Sequence, residues 1–167
     1  RENLRLSLQA NTVLNHKNQL HQVWIDFIKY HTSKEFYDEI INLFGPYISQ
    51  YYPSLEKNIG NLHQILPGIR FAQKTFPKPL EMDCQLAVNT PLRSKSSVIE
   101  AHTDGIKELY AGLLYMRHEN DMAKGGELIV HRWKNNKKRY TYDYMVDQTL
   151  VEEVNRVKYE ENTLVFF

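Results

Sequence analysis

The sequence predicts an α+β fold, with helices in the first half and antiparallel sheet in the second. Two observations carry this. Leu20, Val23, Trp24, Phe27 and Ile28 recur at helical spacing, whereas from Leu80 onward the apolar residues fall into short, alternating or β-rich runs separated by turn residues. A chain of this order packs its helices on one face of an antiparallel sheet and leaves a barrel-like interior to hold a ligand.

Taken in order, Leu4 to Gln9 alternates apolar and polar residues and reads as a half-buried strand, a candidate sheet edge. From about Asn15 the period becomes helical. Thr32 followed by Glu35 has capping-box spacing and predicts a second helix, which runs to Leu43 or Phe44 and stops at Gly45-Pro46. Between Tyr47 and Gly60, Pro53 divides an aromatic-rich stretch into two short helices. Pro67-Gly68, Pro77 and Pro79 bracket a loop, after which Leu80 to Asn89 reads as one strand closed by Thr90-Pro91. Lys134, Lys137, Lys138 and Arg139 surround Asn135-Asn136 as a hairpin loop, with Tyr140, Tyr142 and Tyr144 alternating down a return strand. Val146 to Val157 mixes acidic and apolar positions before a last strand, Asn162 to Phe167.

At 167 residues and 42% apolar content the chain can bury one substantial core, so a single domain 1–167 is expected, with 1–79 a mainly helical support and 80–167 the β core. A net charge of +1 gives no field for nucleic acid or an anionic membrane. The basic hairpin could touch phosphates, yet a charged tip is ordinarily just solvated, and no stacking aromatics on a recognised nucleic-acid fold accompany it. The lone Cys84 cannot form an internal disulfide and fits a reducing compartment; no membrane-length apolar run and no signal-peptide start occur. A soluble cytoplasmic protein is therefore expected.

The chemistry concentrates between Ala101 and Arg132. His102 and Asp104 stand two residues apart, and on a strand positions i and i+2 face the same way, so an imidazole and a carboxylate can grip one ion. Such N/O ligands suit Fe(II); two histidines and one carboxylate leave open positions for a cosubstrate and oxygen. After this pair come the run Leu113-Leu114-Tyr115-Met116, the turn Gly125-Gly126-Glu127-Leu128, whose glycines suit positive φ, and the strand Asn162 to Phe167.

In this order and spacing the stretch resembles the double-stranded β-helix (jelly-roll, cupin-like) core of the Fe(II)/2-oxoglutarate-dependent oxygenases, in their prolyl-hydroxylase-like branch. The resemblance covers roughly residues 80–167 and implies N-terminal helices packed on that core. It further implies Fe(II) on His102 and Asp104, 2-oxoglutarate as cosubstrate beside Leu113, Tyr115 and Leu128, and molecular oxygen as oxidant. Tyr115 would offer its hydroxyl to the cosubstrate's carboxylate, and Leu128, with Phe166 or Phe167, an apolar wall. The implied reaction is oxidation, as a rule hydroxylation, of a small molecule or peptide, with release of succinate and CO2. Retention of Asp104 argues against halogenation. The family's third ligand is a distal histidine, followed by a basic residue for the cosubstrate; both are expected beyond Phe167, in a longer protein.

Blander readings stand beside these. His102 and Asp104 make sense as a hydrogen-bonded couple without metal, and Leu113 as simple core; Tyr115 is evenly balanced between packing and a ligand contact. His118 sits in a polar turn, and His131 lies an odd step from Leu128, so neither is expected as the third ligand. His16, His21, His31 and His63 fall among helices or loops. A non-catalytic jelly-roll binding module that has lost the metal site is the alternative, and a cupin-type protein with another metal the third reading.

Overall fold

The computed structural model describes residues 4–71, 78–90, 100–104, 108–136 and 145–167. Pro77, Pro91 and the hairpin residues Lys137 to Tyr144, with the expected return strand of tyrosines, lie outside the described residues. The chain is mixed helix and small sheets, in two compact units, Arg1–Arg93 and Ser94–Phe167. Among the described residues no helix is long and apolar enough to cross a membrane.

In the first unit, β1 (Arg5–Leu8) is antiparallel to β4 (Leu86–Asn89), with Leu8 opposite Leu86. These two leucines pack on a cluster of Ala10 and Val13 from α1 (Ala10–Asn15) and Ile25 and Ile28 from α2 (Gln22–His31). The expected edge strand is present. The expected helical stripe is rotated: Val23 is 58% exposed, whereas Ile25 and Ile28 are 1% and 0% exposed. Trp24 and Phe27 flank the buried ridge half-exposed. Periodicity alone admits either stripe, because both contain Trp24 and Ile28, and packing against α1 selects between them.

The second predicted helix is α3 (Lys34–Tyr51), and its cap is displaced by one residue. Ser33 accepts from the Phe36 amide (3.2 Å), while Thr32 closes α2 by donating its hydroxyl to the Ile28 carbonyl (2.8 Å). Glu35 still serves the helix start: bonds from its own backbone and the Ser33 hydroxyl hold its carboxylate below the usual range. The helix does not stop at Gly45-Pro46. Pro46 removes one donor, yet Phe36, Tyr37, Ile40, Ile41 and Gly45 are buried on one face, and that packing carries the helix through. Gly45 is closely approached, since a Cβ there would lie 3.2 Å from Ile41 Cγ2. The chain breaks at Tyr52–Ser54, forms α4 (Leu55–Ile59) and turns at Gly60, where φ is 93°. Glu56 then accepts from the Leu62 amide (3.0 Å), and the Tyr37 hydroxyl donates to the Leu62 carbonyl (2.8 Å).

Two further expectations need correction. Pro67-Gly68 opens a strand, β2 (Gly68–Ile69), parallel to β3 (Glu81–Met82). The single strand over Leu80 to Asn89 is interrupted, because Asp83 turns aside to accept from the Ala10 amide (3.0 Å), satisfying a donor at the start of α1.

The second unit contains β5 (Gly112–Tyr115), β6 (Leu128–Trp133), β7 (Val151–Val157) and β8 (Thr163–Phe166). β5 is antiparallel to β8, with Leu113 opposite Val165 and Tyr115 opposite Thr163. β6 is antiparallel to β7, with a bulge at Val130/His131. The β6–β7 pair is thus nested in sequence inside the β5–β8 pair. A small core of Ala101, Val146 and Val151, joined by Trp133, lies beside this ladder.

Candidate metal centre

His102 makes an isolated antiparallel bridge to Met145, and the Val146 amide donates to the Ala101 carbonyl (2.9 Å). Burial of Ala101 and Val146 in the small core fixes this contact, so the polar neighbours His102 and Asp104 are left facing outward. His102 Nδ1 lies 2.8 Å from the Glu100 carbonyl oxygen. A carbonyl can only accept, so Nδ1 is the nitrogen that donates, and in the neutral ring Nε2 is then the one with a lone pair. That lone-pair nitrogen stands 3.8 Å from Asp104 Oδ1. The separation exceeds a hydrogen bond and is wider than the roughly 3 Å between neighbouring ligands of an octahedral ion with bonds of about 2.1 Å, so the two side chains would have to draw together on an ion. A histidine anchored through its second nitrogen to a carbonyl is also the usual support of a metal ligand. In kind, therefore, the donors fit a divalent ion that takes nitrogen and oxygen.

The third ligand is a different matter. Among the described residues no group of three His, Cys, Asp or Glu could hold a metal ion. His118 caps its own turn, accepting at Nδ1 from the Asn120 amide (3.1 Å), and His131 stands opposite Glu153 in the ladder.

The other expected site residues fall on β5 and β6. Alternation puts Leu113 and Tyr115 on one face of β5; Leu113 is half-buried and Tyr115 is 7% exposed. Burial raises the Tyr115 phenol above its ordinary range, opposed by a backbone hydrogen bond from Leu128. Tyr115 and Leu128 are thus neighbours, and the Gly125-Gly126 turn that joins them has φ of 91° and 86°. A shallow cavity of about 310 Å3 opens at this end of β5, lined by Leu114 to His118 and Asn162.

Two residues here, Tyr159 and Arg117, were not singled out in the sequence. Tyr159 sets its ring edge-on to Tyr115, with centroids 5.1 Å apart at 83°. Arg117 lies over the Tyr159 ring at 5.2 Å, and a Cβ on Gly126 would crowd that ring at 3.1 to 3.3 Å. Arg117 could have been noticed, two residues beyond Tyr115 at the end of an apolar run; Tyr159, inside an acidic stretch, carries no such signal.

No family model, curated protein or solved structure matches this chain.

Proposed function

We propose that this chain is the core of an Fe(II)- and 2-oxoglutarate-dependent dioxygenase that oxidises a small molecule or a peptide side chain. The observation that carries the reading is the His102–Asp104 pair, with Nε2 and Oδ1 3.8 Å apart and Nδ1 held by the Glu100 carbonyl. The nested pairing of β6–β7 within β5–β8 supports it, because a jelly roll is an antiparallel hairpin folded over on itself. When bound, iron and 2-oxoglutarate supply oxidation of a C–H bond by molecular oxygen, with release of succinate and CO2.

The chain's own part is positioning. His102 and Asp104 are the residues that would hold the ion. Tyr115, beside Leu128, would donate its hydroxyl proton to a carboxylate of the cosubstrate. Leu113 and Leu128 present apolar surface that keeps water from that contact. A reducing, cytoplasmic setting suits the single thiol and the Fe(II) state.

The test is anaerobic titration of the full-length protein with Fe(II) and 2-oxoglutarate, following the weak visible charge-transfer band of the chelated cosubstrate. The band is expected in the wild type and absent in both His102→Ala and Asp104→Ala. A folded wild type without it would sink the oxygenase reading and favour a metal-free binding module.

A further inference from the structure

We infer that Arg117 is a positioning residue of this site, acting on Tyr115 through the ring of Tyr159. The inference rests on the proposed function and adds to it the device that aims the Tyr115 hydroxyl.

Arg117 leaves the end of β5 two residues after Tyr115. Its Nη1 donates to the Tyr159 carbonyl (2.9 Å), and its Nη2 to the carbonyls of Asp121 (2.9 Å) and Ala123 (2.7 Å). These acceptors belong to the two irregular stretches on either side, 116–127 and 158–162, which lack a ladder of their own. One guanidinium thus ties both to the strand end. Its face covers the Tyr159 ring at 5.2 Å, and that ring stands edge-on to Tyr115 at 5.1 Å. Gly126 also crowds this ring: a Cβ there would lie 3.1 to 3.3 Å from Tyr159 Cγ, Cδ1 and Cβ.

Direct anion binding by Arg117 is the rival role. Against it, Nε faces Asp121 Oδ2 at 3.8 Å, and both terminal nitrogens are engaged by carbonyls. The charge is answered within the protein. What the clamp leaves to the site is the orientation of Tyr115, a buried side chain whose wall on one side is Tyr159. Lysine cannot reproduce it, because an ammonium has neither the planar face for the ring nor the fork for three carbonyls.

The experiment compares Arg117→Lys, Tyr159→Ala and Tyr159→Phe in the full-length protein, with Gly126→Ala as a route that disturbs Tyr159 while leaving Arg117 intact. Two readouts are followed: the 2-oxoglutarate Kd from the charge-transfer band, and the Tyr115 resonance in 13C-tyrosine NMR. Arg117→Lys, Tyr159→Ala and Gly126→Ala are expected to raise the Kd by about tenfold or more and shift or broaden the Tyr115 line, with Fe(II) affinity unchanged. Tyr159→Phe, which keeps the ring, should stay within about twofold of wild type. A folded Arg117→Lys with wild-type Kd and an unmoved Tyr115 line overturns the inference, as does an equal loss in Tyr159→Phe. If the wild type shows no band, the oxygenase reading and the cosubstrate effect both fall; the Tyr115 line then decides separately whether Arg117 positions that tyrosine.

Discussion

At the scale of single residues, the two glycines of the 125–126 turn separate two costs that usually arrive together. Both have positive φ, at 91° and 86°, so alanine is strained at either. Only Gly126 is also crowded, by Tyr159; nothing lies within 4 Å of a Cβ at Gly125. Gly125→Ala is expected to lose about 1 kcal/mol and Gly126→Ala about 2–3 kcal/mol, read as urea midpoints at constant m-value. Equal losses would mean that Tyr159 gives way freely, which would also weaken its role as a wall for Tyr115. The sequence shows why glycine stands here at all, since a turn between two strands asks for positive φ. It does not show that an aromatic ring from more than thirty residues later rests on the second glycine.

At the scale of elements, the helices were legible because they repeat, and their ends were not because ends are decided by single hydrogen bonds. Thr32 and Ser33 are adjacent and chemically alike, and the hydroxyl that finds the Phe36 amide is the one whose carbon frame faces the right way. Ser33→Ala should cost about 1 kcal/mol by denaturant titration. Gly45-Pro46 misleads for a related reason: a breaker in sequence is overruled when the turns before it are packed. Pro46 is exposed and inside α3, so Pro46→Ala should raise stability by about 1–2 kcal/mol, a gain visible as a higher thermal midpoint. The interruption of the 80–89 strand had no local sign, because its cause is the amide of Ala10, 73 residues away.

At the scale of the whole molecule, the division into early helices and later strands follows directly from the change of period. The His102–Asp104 pair was legible for the same reason that it is simple: both residues lie on one short stretch. A clamp assembled from residues 117, 126 and 159 has no contiguous signature. Among the described residues each unit also contains a partly buried acid that titrates well above its ordinary range. Burial pushes Cys84, in the first unit, up to about 11, and Tyr110, in the second, up to about 12, from ordinary values near 9 and 10. In the unfolded chain both groups give up their protons earlier, so the unfolded state binds fewer protons at alkaline pH and stability falls as pH rises. The loss should begin near pH 9 and continue to about 12. In urea titrations across this range Tyr110→Phe, which keeps the ring against Phe166, should flatten the part above pH 10 and leave the neutral region unchanged.

The bulge in the β6–β7 ladder has a consequence for chain length. Val130 faces Asn155 and His131 faces Glu153, so Val154 is left over. Because of that one supernumerary residue, Val151 and Val157, an even number of steps apart, stand opposite Trp133 and Leu128, an odd number apart. Val151 can therefore serve the Ala101 core while Val157 serves the strand end beside Tyr115. Insert one residue between Val130 and His131, so that Val154 gains a partner, and the two valines would share a face. This strand consequently tolerates exchange of letters more readily than a change in their number, and frame within the strand is as much a determinant of the candidate site as residue identity.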